Sequence, residues 1–221
     1  MVNFSHAEEN YLKTIYHLQQ TTETVSTNDL AAALGTAPAS ITDMLKKLSK
    51  KGLVSYKAYY GCSLTTPGTD KAIGIIRRHR LWEYFLSQKL GFSWEEVHEV
   101  AEELEHVSNE KLILKLDEYL GFPRTDPHGD PIPDAKGKIV QQQQISLANL
   151  PEKKAAVVTQ IGNQSPEVLE MLDEKNITIG TRIQVIKKYP FDESMEVKTD
   201  NRHQSHITRE LSQNIFTKSS S

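Results

Sequence analysis

STNDLAAALGTAPASITDMLKKLSKKGLVSYKAYYGCSLTTP, residues 26–67, decides how this chain is read. Ser26-Thr27-Asn28-Asp29 is a capping signal ahead of Leu30-Ala31-Ala32-Ala33-Leu34, and Gly35 breaks that short helix. A further helix is predicted from Pro38 to Lys51, with Ile41, Leu45 and Leu48 on one side and Gly52 as its stop. Leu53–Tyr56 and Ser63–Thr65 then read as two short strands around Lys57–Cys62, where Gly61 supplies the tight turn. Upstream, His6–Gln20 places Tyr11, Leu12, Ile15, Tyr16 and Leu18 at helical spacing. Three helices followed by a hairpin form a winged helix-turn-helix pattern.

Downstream, Thr66-Pro67 is a cap and first-turn pair for a long helix reaching about Leu90. Ser93 and Glu96 form a capping box for another that ends near Leu120-Gly121. The prolines of Phe122–Pro133 exclude a regular element and predict a rigid loop. Gln141–Gln144 reads as linker. Beyond it, Ala156–Thr159, Arg182–Ile186 and Met195–Lys198 are predicted strands, with a helical stretch at Pro166–Asp173, the size of an SH3-like β-barrel. Thr217–Ser221 reads as a disordered tail. The expected fold is mainly α with small β parts. Residues 1–66 form a winged helix-turn-helix, 67–138 a helical metal-binding and dimerisation domain, 139–154 a linker and 155–217 an SH3-like domain.

The formal charge of −3 over 221 residues conceals a division along the chain. Ser40–Arg80 holds nine Lys/Arg against two Asp/Glu, whereas Ser93–Glu118 holds nine Asp/Glu against two Lys. One stretch suits phosphate and the other suits cations. The lone cysteine, Cys62, permits no internal disulfide. There is no basic start followed by an apolar run, and no stretch of some 18 apolar residues, so secretion and membrane spanning are not expected and a cytoplasmic location is.

Within the acidic stretch, helical spacing of about 100° per residue puts His98, Glu102, Glu105 and His106 in one arc of roughly 100°. Val97, Val100, Ala101 and Leu104 take the opposite arc. Carboxylates that close repel one another unless a cation sits between them. The preceding helix offers His79 and Glu83 at i, i+4, and two antiparallel helices could place both sets around one or two ions. A di-metal hydrolase is the competing use of such a cluster. The HExxH pattern is absent, however, since His98-Glu99 is followed by Val100, Ala101 and Glu102, so no enzyme and no small-molecule substrate are expected. A winged-helix regulator sensing an organic ligand, its acidic helix merely solvated, is the other alternative.

Pro38–Lys51 is the expected recognition helix. Ala37, Pro38, Ala39, Ser40, Thr42 and Asp43 are short enough there for close approach to bases, while Lys46, Lys47, Lys50 and the wing residue Lys57 suit phosphates. Tyr56, Tyr59 and Tyr60 serve equally well as phosphate contacts or as packing residues of the hairpin. Half-sites on duplex DNA imply a symmetric dimer, expected on the two helices after Pro67 through Phe85, Leu86 and Leu90.

Glu8-Glu9-Asn10-Tyr11-Leu12-Lys13-Thr14-Ile15-Tyr16, Arg78-His79-Arg80-Leu81-Trp82-Glu83 and Glu102-Glu103-Leu104-Glu105-His106-Val107 resemble, in this order, the diphtheria-toxin-repressor family of iron- and manganese-dependent bacterial regulators. The likeness extends through the loop Gly121–Pro133 to the SH3-like part. It implies a metal-dependent regulator, acting as a homodimer on a double-stranded operator and repressing metal-uptake genes when metal is plentiful. It also implies a primary site of Asn10, His79, Glu102, Glu105 and His106. A second site would use Glu83 with either His98 or Asp126 and His128, and Glu167 from the third domain. Asn10 stands where members carry Met or Asp, and Lys13 where some manganese members carry a second-site Glu. Position 102 is Cys in iron-responsive members; Glu102 with imidazole suits a harder ion, so Mn²⁺ is expected ahead of Fe²⁺, with two ions per subunit. Metal would then join the first helix to the dimerisation helices and favour one spacing of the recognition helices.

Overall fold

The computed structural model describes residues 4–140, 143–200 and 204–219. Of the predicted linker, Gln141 and Gln142 lie outside the described residues, as do Ser220 and Ser221 of the predicted tail. The chain divides into two compact units. The first runs through His79 and takes in Glu102–Lys115 and Pro133–Lys138; the second holds Arg80–Ala101, Leu116–Ile132 and Ile139–Ser221.

In the first unit, α1 (His6–Leu18) starts from Ser5, whose hydroxyl accepts from Glu8 N while the Glu8 side chain reaches back to Ser5 N, a full capping box. Ser26 caps α2 (Thr27–Leu34), and α3 (Pro38–Lys50) opens with proline at its first position, where the missing N–H costs nothing. Leu12, Ile15, Leu30, Ile41, Leu45 and Leu48 are fully buried together, at helical spacing on their three helices. At roughly 25 cal/mol per Å² of apolar surface, each such side chain contributes about 1.5–3 kcal/mol. The hairpin pairs β1 (Val54–Lys57) with β2 (Gly61–Leu64).

Gly61 does not make the hairpin's turn. It lies in β2 opposite Lys57, and the left-handed turn residue is Tyr59 at φ 67°. Gly61 is needed for a different reason: with φ 102°, a β-carbon there would meet Val25 O at 2.5 Å, beside the bridge that ties Val25 to Cys62.

The long helix α4 (Thr66–Leu90) forms as the sequence indicates. The single helix expected from Ser93 to Leu120 does not. Glu96 reaches back to Ser93 N, but the helix proper is α5 (Val97–Leu104), and α6 (Glu110–Tyr119) begins after Asn109, whose side chain accepts from Leu112 N at 3.0 Å. Glu105 and His106 therefore lie on the turn after α5 and not on a continued helical face.

The second unit contains a six-stranded antiparallel sheet in the order β3-β8-β4-β5-β6-β7. Its strands are β3 (Ile145–Ser146), β4 (Ala155–Ile161), β5 (Arg182–Lys188), β6 (Met195–Thr199), β7 (Gln204–Ile207) and β8 (Ile215–Ser219), with α7 (Pro166–Glu174) and α8 (Arg209–Asn214) between them. Two expectations fail here. The stretch read as linker supplies β3 and a 3-10 turn at Leu147–Asn149 that buries Leu147, and Thr217–Ser219 of the predicted tail lies in β8, paired with β4 and at Thr217 also with β3. Bulges in β4 and β5 bend the sheet around Val158, Ile161, Leu169, Leu172, Ile183, Val185 and Val197. Among the described residues no helix is long and apolar enough to cross a membrane.

Candidate metal centres and recognition helix

One turn of α1 supplies the first cluster. Glu9 and Lys13 face Arg78 of α4 and the end of α5, where Glu105 is fully buried and paired with His79. His79 Nδ1 lies 2.7 Å from Glu105 Oε2, and His106 Nδ1 lies 2.8 Å from Glu9 Oε2. Lys13 Nζ sits 2.8 Å from the Glu105 carboxylate and 3.1 Å from Glu102 Oε1. Arg78 donates to Glu9 Oε1 at 3.1 Å and also to the Glu105 carbonyl. Burial pushes the Glu105 carboxyl up, but His79 and Lys13 outweigh it and hold the group below the usual carboxylate range. Asn10 Oδ1, one residue after Glu9 on α1, is buried with no hydrogen-bond partner, an acceptor left open. The sequence-predicted Asn10, His79, Glu102, Glu105 and His106 thus fall in one unit. Sequence reasoning missed Glu9, whose partners Arg78 and His106 lie 69 and 97 residues away.

A second cluster lies in the other unit. Glu83 of α4 with Asp126 and His128 of the proline loop offer ligand atoms that all lie within 4.8 Å of one another, and all three residues are buried. Asp126 Oδ1 accepts from the backbone N–H groups of His128 and Asp130, leaving Oδ2 without a hydrogen bond, 3.6 Å from Arg80 Nε. His128 Nε2 lies 2.7 Å from the Trp94 carbonyl. A carbonyl only accepts, so Nε2 carries the proton and Nδ1 presents a lone pair, unpartnered and 4.0 Å from Glu83 Oε1. Desolvation first, then the charges of Glu83 and Asp130, push the Asp126 carboxyl well above its usual range. Two carboxylates, one of them with an orphaned oxygen, and an imidazole nitrogen without a hydrogen bond fit a hard divalent cation.

His98 Nδ1 lies 3.2 Å from Glu83 Oε1 on a half-exposed side chain, so both alternatives for the second cluster touch Glu83. Glu167 is not brought in. It is fully exposed near the start of α7, where its own backbone N–H and Ser165 lower its pKa. The sheet domain acts on the loop by other means. Gln160 and Gln164 donate to Asp130, Ile161 N donates to His128 O at 2.9 Å, and the Gly129 backbone comes so close to Thr159 that a β-carbon would lie 2.0 Å from its carbonyl oxygen.

On α3, Ala37, Pro38, Ala39, Ser40 and Asp43 are exposed, Thr42 is half-buried and bonded to Pro38 O, and Lys46, Lys47 and Lys50 point to solvent. At the hairpin, Tyr56 packs on the core while Tyr59 and Tyr60 are exposed, with Lys57 Nζ 4.0 Å above the Tyr60 ring. Lys47 and Lys51 are held at 3.3 and 2.6 Å by Glu8. Burial of Glu8 works against its charge, yet Lys51, Ser5 and Lys47 bring its pKa down to about 2. Cys62 is sealed in the core, and burial raises its thiol to about 11, so no reactive thiolate is offered. Leu86, expected on a dimer surface, is buried within the chain, whereas Leu90, Leu112, Leu114 and Tyr119 are exposed.

Residues 3–62 match the family described as iron dependent repressor, N-terminal DNA binding domain, residues 65–134 its metal binding and dimerisation domain, and residues 145–219 a FeoA domain. The iron-dependent repressor IdeR of Mycobacterium leprae is 35% identical over 125 residues, covering 57% of this chain and 54% of that protein. The chain thus spans about half the length of the curated relatives it matches at this level. The solved structure of a manganese-dependent transcriptional repressor in complex with manganese is 32% identical with a TM-score of 0.86, over 96% of this chain and all of that one. ScaR with bound Cd²⁺ is 28% identical at 0.80, over 96% and 99%. With the DNA-binding region, the metal binding and dimerisation region and the FeoA region matched in this order, and a repressor structure matched over its whole length, the chain belongs to the iron-dependent repressor family.

Proposed function

We propose that this chain is a metal-dependent DNA-binding transcriptional repressor of metal-uptake genes, acting in the cytoplasm as a homodimer and responding to Mn²⁺. The observation that carries the reading is the use of neighbouring residues on α1. Glu8 holds Lys47 and Lys51 at the end of the recognition helix, while Glu9, the next residue, pairs with His106 and Arg78, and Asn10 after it keeps an open buried acceptor. Whatever draws Asn10 toward Glu105 and His106 therefore also acts on the element that braces α3.

Asn10, His79, Glu102, Glu105 and His106 would hold one ion, and Glu83, Asp126 and His128 a second, with His98 adjoining it. When bound, such an ion supplies positive charge that several carboxylates can share. Glu9 orients His106, and the Trp94 carbonyl sets the tautomer of His128. Carboxylate, amide and imidazole donors without a thiolate support Mn²⁺ over a softer ion, and the manganese-bound relative supports the same choice. Ala37–Asp43 would read base edges, and Lys46, Lys47, Lys50 and Lys57 would contact phosphates. The exposed Leu112 and Leu114 of α6 suit an apolar dimer contact. The test is operator affinity under chelator and under excess Mn²⁺: a rise with metal that His106→Ala abolishes supports the proposal, and equal affinity in both conditions refutes it.

A further inference from the structure

Lys13 occupies the cation position of the first cluster. Its ammonium lies 2.8 Å from Glu105 and 3.1 Å from Glu102, the two carboxylates assigned above as metal ligands, on a side chain only 12% exposed. It reaches them from α1, one turn beyond Asn10, and so joins the same elements that a metal ion would join. We propose that Lys13 is a tethered internal cation, which pairs with Glu102 and Glu105 in the metal-free protein and must give them up when metal binds, thereby setting the metal concentration at which the protein responds. The inference rests on the assignment of the primary site.

The physical argument is competition. A protonated lysine has no lone pair, so it cannot ligate; it can only share the carboxylates with the ion or yield them. Its attachment to α1 makes the competition intramolecular and independent of protein concentration. Only the fraction of molecules with Lys13 withdrawn is ready to bind, and apparent affinity falls by that fraction. Lys13 and Arg78 place two fixed positive charges against Glu9, Glu102 and Glu105, of which Glu9 and Glu105 are buried.

The test is a Mn²⁺ titration of the full chain, followed by the electron paramagnetic resonance of free Mn²⁺, on wild type, Lys13→Met, Lys13→Gln, Lys13→Arg and His106→Ala. The binding removed by His106→Ala defines the site. There, both neutral variants are expected to bind Mn²⁺ roughly tenfold more tightly than wild type, and Lys13→Arg to stay within about twofold of it. Thermal unfolding in chelator gives an independent readout, expected to be lowered in the neutral variants and held in Lys13→Arg. If His106→Ala removes no binding, the site assignment falls and the Lys13 proposal with it. If His106→Ala removes binding but the neutral variants that fold bind as wild type does, or more weakly, the Lys13 proposal alone is overturned. Tightening in Lys13→Arg equal to that of the neutral variants also overturns it, because charge would then not be the cause.

Discussion

The two ligand clusters solve one electrostatic problem in opposite ways. In the first, Lys13 and Arg78 stand among the carboxylates, and Glu105 remains more acidic than usual despite complete burial. In the second, Asp126 and Glu83 face each other with Arg80 3.6 Å from Asp126, and the Asp126 carboxyl is driven well above its usual range. In the first, Lys13 and Arg78 already offset part of the carboxylate charge, so an incoming ion exchanges one cation for another and gains only the difference. The second is left in debt, so an ion there relieves repulsion outright. A graded, reversible response suits the first arrangement, and firm structural occupancy suits the second.

The sharpest way to break that contrast is to remove one imidazole from each cluster. His106→Ala is expected to abolish the metal dependence of operator binding, a loss on the order of 100-fold at saturating Mn²⁺ given a coupling of about 3 kcal/mol. His128→Ala should reduce it far less while removing most of the thermal stabilisation by Mn²⁺, which amounts to about 2.7 kcal/mol at a hundredfold excess over Kd. Shift assays and melting curves measured on both variants decide it; equal effects of the two on both readouts would erase the distinction.

Next in size is Gly129→Ala. With φ 88° and a β-carbon 2.0 Å from Thr159 O, the loop must move off the sheet. A cost of about 3 kcal/mol in denaturant unfolding is expected, together with weakened metal binding at the second cluster and an intact first.

Glu8→Gln probes a compensated carboxylate in the first unit, at about 2 kcal/mol near neutral pH, discounted because Lys47 is half exposed. Because folding lowers the Glu8 pKa from 4.5 to about 2, its contribution is complete above about pH 5 and is lost as pH falls through that interval. The gap in unfolding free energy between wild type and variant should close over the same range, and a gap that stays constant would show that the ion pairs do not carry it.

Smallest of the set, Asp126→Asn is expected to stabilise the metal-free protein by about 1 kcal/mol, since it removes a buried and poorly compensated charge. In chelator its melting temperature should rise, and with Mn²⁺ its gain should fall below that of wild type. A lower melting temperature in chelator would mean that Arg80 already meets the charge.

Much of this was legible along the chain. Caps and periodicity marked α1 to α4 because local signals set those helices, and Ser26, Gly35 and Gly52 act within a few residues of themselves. The break after α5 was also written locally, in the capping side chain of Asn109, but the continuing run of charged and apolar residues masked it. Strands β3, β7 and β8 were hidden for another reason. They are short, and their pairing depends on partners up to 72 residues away, as for Ile145 and Thr217. Among site residues, the His and Glu types announced themselves. Glu9 and Gln160 did not, since an acidic or amide side chain on an amphipathic element reads as solvated until a distant partner is seen.

The Trp94 contact with the second cluster gives the molecule an optical readout of its own. The chain has two tryptophans. Trp94 stacks on His128 with the rings 6.2 Å apart and 18° from parallel, and its carbonyl accepts a hydrogen bond from that imidazole, while Trp82 packs edge-on against Phe85. A paramagnetic ion held by His128 would sit beside the Trp94 indole, so quenching of its emission in a Trp82→Phe background follows occupancy of the second cluster without a label. Because no tryptophan lies among the ligands of the first, that signal reports the second centre alone.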